Sequence, residues 1–271
     1  MNLKAGVSPL FDGDKTVVDD MEKSNVLQNY FQSLFISSSQ PNINMRQQTV
    51  RCLDDVTFAP IQVFTQLRKL STKLNVTPDG LPSFVFKMLA DVMAAPLSLI
   101  FTRSFEDGCV PSVFLKSIVT PVYKKGSRSN PENYRPISQE VIPCLIMERI
   151  IADKIMWHLQ DTGLADTNQH GFTAGRSTST QLLEVLHDWV SSRNNGKEIH
   201  CVYFDFSRAF DRVNHDMLLA KMSALGVGFR ITEWCRSYLS GRLWLSSKLA
   251  IRFLEKGDVS QGFLRVLALA P

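Results

Sequence analysis

The sequence lacks any pattern that would pair its cysteines. There are five, Cys52, Cys109, Cys144, Cys201 and Cys235, an odd number, widely spaced and without a C-x-x-C unit. This excludes a disulfide scaffold and a zinc site of the usual spacing, and reads as a reduced, intracellular chain, cytoplasmic or nuclear, with buried thiols. The opening MNLKAGVSPLFDGDK has no apolar stretch of the kind a secretory signal needs. No long hydrophobic run is intact. The most apolar one, Phe84 to Phe105, is broken by Lys87, Asp91, Pro96 and Arg103, so no membrane partner is expected. The histidines, His158, His170, His187, His200 and His215, have no metal-ligand spacing, and most of them read as surface or helix-edge residues. There is no Ser-His-Asp arrangement, no P-loop and no dinucleotide-binding glycine pattern. Extreme charge is absent too: 30 Lys and Arg against 26 Asp and Glu leave +4, which permits a nucleic-acid partner without demanding one.

What is present is enough apolar residue for a core. Hydrophobic residues make up 44% of the 271, and charged residues 21%, so general disorder is excluded. Met21, Val26, Leu27, Tyr30, Leu34 and Phe35 fall at helical spacing after a turn at FDGDK. Residues 36–50 read as a polar loop. A helix is expected over Phe64–Leu74, a tight turn at TPDGLPS, and helix over 83–107 with an interruption at Pro96. Ile118, Val119, Val122 and Tyr123 favour a strand, followed by a KKGS turn. Residues 141–160 predict a long amphipathic helix. QLLEVLHDWVSSR predicts another, capped from Ser177–Thr180. Residues 199–206 predict a strand, Asn214 caps a helix that Gly226 ends, 229–240 form a helix, and 242–259 suggest a strand pair. Helices interleaved with short strands predict an α+β chain.

Within VYFDFSRAFDRVNHD, Val202–Asp216, Asp205 stands out. Alternation puts Cys201, Tyr203 and Asp205 on one strand face and Val202, Phe204 and Phe206 on the other. A carboxylate among apolar neighbours needs a turn to cap, an arginine partner or a bound cation. A hard divalent ion such as Mg²⁺ takes carboxylate oxygens, but one carboxylate alone makes a poor site.

The surrounding motifs bear on that choice. TPDGLPSFVFK at 77–87, VPSVFLKSIVTPVYKKG at 110–126, KKGSRSNPENYRPIS at 124–138, QHGFTAGRSTSTQLLE at 169–184, the Asp205 segment and DVSQG at 258–262 occur in order. Together they resemble the polymerase of non-LTR retrotransposons, the LINE-type reverse transcriptases of the jockey and CR1 kind, over roughly Thr77 to Gly262. The resemblance implies the fingers and partial palm of a right-hand polymerase behind a helical N-terminal extension. It divides the chain into 1–75 (extension and linker), 76–200 (fingers and early palm) and 201–271 (palm). It implies RNA-directed DNA synthesis from dNTPs on an RNA template and DNA primer, with Mg²⁺ or Mn²⁺ and no particular protein partner. By that resemblance Asp205 is a catalytic metal ligand and the Phe206 carbonyl a further one. Phe210 is the gate against a ribose 2′-OH. Lys124, Lys125 and Arg135 hold the incoming triphosphate, Arg176 with Gly175 contacts nucleic-acid backbone, and Gln261 packs near the nucleotide. Asp211 reads as structural.

The departures are specific. Gln139 and Glu140 follow RPIS where apolar or hydroxyl residues are usual. Thr173 and Ala174 replace Arg-Pro, and Ser260 stands at a common proline. The family's Y/F-A-D-D aspartates have no counterpart here, since Asp19-Asp20 and Asp54-Asp55 lie in the wrong region. The expectation is therefore a truncated reverse transcriptase without polymerase activity of its own. The alternative is a non-catalytic remnant that binds RNA or serves as an interaction domain.

Overall fold

The structure, a computed structural model, describes residues 7–34, 48–72, 77–206, 209–210 and 212–246. Asp211, Gln261 and the DVSQG motif lie outside them. A hairpin of β1 (Leu10–Asp12) and β2 (Lys15–Val17) turns at Gly13, so the expected helical extension begins on strands. α1 (Asp20–Gln32) follows, with the Asp19 carboxylate accepting from the Met21 and Glu22 amides. Next come α2 (Pro60–Arg68), which starts and ends before the predicted Phe64–Leu74, then α3 (Ser83–Met88) and α4 (Ala90–Glu106).

Pro96 does not interrupt α4. The break falls at Leu89, whose φ of −92° and ψ of 18° separate α3 from α4. A proline removes one helix N–H, and here Leu97 and Phe101 just beyond it are buried, so packing holds the helix across the gap.

β3 (Lys116–Tyr123) is the predicted strand and pairs antiparallel with β4 (Tyr134–Glu140), which was not predicted, and α5 (Ile142–Asp161) is the predicted long helix. α6 (Thr178–Asn194) is capped by Ser177, α7 (His215–Ala224) by Asn214, and α8 (Phe229–Leu239) leads into β5 (Leu243–Ser246). β5 runs parallel to β3, giving the sheet order β4-β3-β5. The α+β expectation stands.

The main core joins α2, α3, α4, α5, α7 and α8 through residues such as Leu67, Phe101, Ile151, Ile155, Ile231 and Trp234. A smaller cluster of Leu10, Leu27, Phe31, Val119 and Tyr134 seats the N-terminal hairpin and α1 on the β3–β4 hairpin. Residues 51–54 are stitched to the end of α7: the Leu53 amide donates to the Gly226 carbonyl, and the Gly228 amide to the Leu53 carbonyl. Gly226 has a φ of +80°, and a Cβ there would come within 2.3 Å of the Arg51 carbonyl oxygen and 3.1 Å of His158 Nε2. Gly226→Ala meets both a left-handed backbone penalty and a backbone clash. It should destabilise by more than about 2 kcal/mol in urea unfolding.

Two expectations are corrected. His187, His200 and His215 are exposed or half-buried, as expected for most of the histidines, while His158 and His170 are buried, each ring spanning two elements by hydrogen bonds. Cys144 and Cys235 are buried as expected, but Cys52, Cys109 and Cys201 are exposed. Residues 199–206 form no strand: Val202, Tyr203, Phe204 and Phe206 are exposed, Phe204 at 88%. A strand needs a neighbour to complete its backbone ladder, and among the described residues none pairs with this segment. α6 shares this condition, for it has no buried residue, and Leu182, Leu183, Leu186 and Val190 are exposed.

The base of the β3–β4 hairpin is closed by a buried polar cluster. Arg242, fully buried just before β5, donates from Nη1 to Glu140 Oε1 at 2.6 Å and lies 4.0 Å over the Tyr238 ring. The Tyr238 hydroxyl lies 3.2 Å from each Glu140 carboxylate oxygen and 3.0 Å from Glu148 Oε2. Burial, then the Glu140 charge, pushes the Glu148 carboxyl up to about 8. Burial opposes the charge of Arg242, but Tyr238 and Glu140 outweigh it and raise its pKa. Arg242 thus ties the start of β5 to the end of β4, and both to α5 and α8.

Candidate nucleotide and nucleic-acid interface

The β3–β4 hairpin is built to hold its tip still. β-branched Ile118, Val119, Thr120 and Val122 favour the strand KSIVTPVY, and Pro121 faces Pro136 across the pair. Neither proline can donate to a ladder, so they suit a position where the amides would point away from each other. The described pairing of β5 with β3 runs from Lys116 with Leu243 to Val119 with Ser246. Beyond them, the Lys124 amide donates to the Asn133 carbonyl at 2.8 Å, and Asn133 Nδ2 to the Ser127 carbonyl at 2.8 Å. The Tyr123 hydroxyl donates to the Gly126 carbonyl at 2.5 Å, and that of Tyr134 to the Arg128 carbonyl at 2.7 Å. The Arg128 guanidinium covers the Tyr123 ring at 4.6 Å. Gly126, at φ +89°, leaves room for Asn133, which a Cβ would meet at 2.7 Å.

This frame brings three of the candidate residues together. Lys124 and Lys125 are exposed at the tip, and Arg135 is exposed on β4 directly opposite Val122. Val119 and Tyr134, on the other face, are packed onto α1. Cations held on a pinned hairpin suit a polyphosphate: arginine as a fork, lysine as a point charge.

The loop before α6 is the second element. His170 is the residue that sequence reasoning missed. Its Nδ1 lies 3.1 Å from Thr180 Oγ1 and its Nε2 2.9 Å from Glu184 Oε2, so one buried ring ties the loop to two turns of α6. Its place between Gln169 and Gly171 in the loop motif was the available signal. Arg176 donates from Nη1 to the Thr167 carbonyl and lies 3.3 Å from His170 Nε2. Its guanidinium thus braces its own loop, while Gly175 is exposed at φ +78°.

Asp205, with Phe206 beside it, is exposed in the irregular segment. Phe210 is half-buried, and its ring meets Phe172 of the loop edge to face, centroids 5.9 Å apart at 89°. The structure therefore joins Phe210 to the loop. Oxygen donors at Asp205 and Phe206 are of the kind a hard divalent ion takes. Their number falls short: among the described residues no three His, Cys, Asp or Glu side chains come together to hold a metal. The described residues do not by themselves build a metal centre.

Residues 122–266 match the family described as reverse transcriptase (RNA-dependent DNA polymerase). The chain belongs to the reverse transcriptase family. The match begins on β3, at the strand that carries the basic tip. Among relatives, the chain is 23% identical over 222 residues to a probable RNA-directed DNA polymerase from transposon BS of Drosophila melanogaster, covering 79% of this chain and 24% of that protein. It is 26% identical over 199 residues to the probable RNA-directed DNA polymerase from transposon X-element of the same fly, covering 72% and 21%. It is 28% identical over 167 residues to the RNA-directed DNA polymerase from mobile element jockey, covering 60% and 18%. The chain spans about a quarter or less of the length of these relatives. Together these matches identify a reverse transcriptase domain of the non-LTR retrotransposon kind, and favour that reading over the non-catalytic alternative. Divalent metal ions are the family's general cofactor. Among the described residues no helix is long and apolar enough to cross a membrane.

Proposed function

We propose that the chain supplies the fingers and first palm section of an RNA-templated DNA polymerase. It takes dNTPs, an RNA template and a DNA primer, with Mg²⁺ or Mn²⁺ as the ion. Residues 1–75 act as an extension bracing the fingers, 76–200 as fingers and early palm, and 201–271 as palm. The observation that carries this reading is the pinned hairpin presenting Lys124, Lys125 and Arg135 on its exposed side. In the proposed roles these three grip the triphosphate, Asp205 and the Phe206 carbonyl offer oxygens to the metal, and Phe210 crowds a ribose 2′-OH. Gly175, on the loop that Arg176 braces, meets nucleic-acid backbone.

The test is dNTP binding to the full chain with primed RNA and Mg²⁺, across a range of salt. Replacing Lys124, Lys125 and Arg135 by alanine should weaken binding at least about tenfold, since each removes a charge-assisted contact. The salt dependence should flatten as well. Unchanged affinity and slope in the triple variant would overturn the assignment.

A further inference from the structure

We propose that Phe172 is a positioning residue for Phe210 and so sets the discrimination between deoxyribose and ribose. The inference rests on the reading of Phe210 as the sugar gate. It starts from a backbone anomaly. Phe172 has a φ of +59°, and among the described residues it is the one non-glycine at positive φ. There the Cβ of an L-residue crowds its own carbonyl, and a bulky ring has no local means of relief. Such a conformation persists only where its surroundings impose it.

The surroundings here are specific. On one side His170 is locked to Thr180 and Glu184, and Gln169 Nε2 donates to the Gly171 carbonyl at 3.0 Å. On the other, Thr173 Oγ1 donates to the Gln169 carbonyl at 2.9 Å and Arg176 to that of Thr167. These bonds fix the chain on both sides of Phe172 and dictate where its ring goes. Core burial is not the reason for a phenylalanine, because the residue is 57% exposed and belongs to neither core cluster. The ring instead meets Phe210 at 5.9 Å and 89°, the arrangement that aromatic quadrupoles favour.

A steric gate distinguishes a hydrogen from a hydroxyl only if its ring stays within a fraction of an ångström of one position. Among the described residues, Ala209 and Phe210 form a turn, outside any helix or strand. Phe172 adds an edge-to-face contact to that ring from a loop anchored to α6.

The informative variant is Phe172→Gly. Glycine adopts φ +59° without penalty, so the loop keeps its path and loses only the ring. Two readouts on the full chain test the idea. The first is the ¹⁹F resonance of 4-fluorophenylalanine placed at Phe210. The second is the ratio of dCTP to CTP affinity with primed RNA and Mg²⁺. Phe172→Gly should move the resonance toward its solvent-exposed position. It should also lower the preference for dCTP by up to about tenfold, the scale of one edge-to-face contact, with dCTP affinity itself kept and Phe172→Tyr restoring the preference. An unmoved resonance overturns the positioning role. A moved resonance with the preference intact, where Phe210→Ala abolishes it, overturns the link to selectivity. If Phe210→Ala also leaves the preference unchanged, the gate reading itself falls and the selectivity claim with it, while the resonance still decides whether Phe172 holds Phe210.

Discussion

Arg242→Ala is expected to destabilise the protein by about 3–5 kcal/mol, the range for removing one partner of a buried ion pair. The guanidinium is fully buried and pairs with Glu140, whose side chain is 9% exposed. Truncation leaves that carboxylate in the interior without its counter-charge, faced by the Tyr238 hydroxyl and the Cys144 thiol. It also unties the first residues of β5 from the end of β4. Pairing the change with Glu140→Met, and using Met at 242, should recover most of the loss, since an apolar pair of similar volume avoids both desolvation costs. Urea unfolding of the three proteins measures this. A single variant within about 1 kcal/mol of the parent would show that the cluster does not hold the sheet together. Glu140 was one of the residues that depart from the family pattern. The structure gives it a partner, so at this position the departure is part of a matched pair.

The same cluster predicts a stability that falls as pH rises. Glu148 is buried on α5, and burial, reinforced by the Glu140 charge, lifts its pKa to about 8 from an ordinary 4.5. Between those values the folded protein keeps a proton that the unfolded chain releases. The contribution is therefore complete below the ordinary carboxylate range and is lost as pH rises through about 8. The expected loss is on the order of a few kcal/mol. Glu148→Gln keeps an oxygen for the Tyr238 hydroxyl and cannot ionise. Its unfolding free energy should vary less with pH, and it should be the more stable protein at about pH 9. Parallel pH profiles for the two proteins would sink the assignment.

Local patterns read well from the sequence because local forces make them. Ser177 and Asn214 cap helices where their side chains reach free amides, and Gly226 ends α7 because only glycine fits its backbone. The β3 strand follows from its β-branched residues, and Lys124, Lys125 and Arg135 were grouped in advance only by the resemblance to the family; their pairing on one hairpin came from the β3–β4 register. Pro96 was misread because core packing beyond it outweighs one missing hydrogen bond. His170 was not singled out because its partners, Thr180 and Glu184, lie a loop away.

By itself the sequence determined the α+β class, the order of motifs and the family to which they belong. It also supplied the identity of each candidate residue. Those are properties of residue type and spacing. Only the tertiary structure decided that Arg242 and Glu140, 102 positions apart, neutralise one another beneath the hairpin. Only it put Phe172 against Phe210, and left 199–206 without a ladder partner among the described residues. Pairings of this kind depend on which elements meet across the fold, and no local periodicity encodes that.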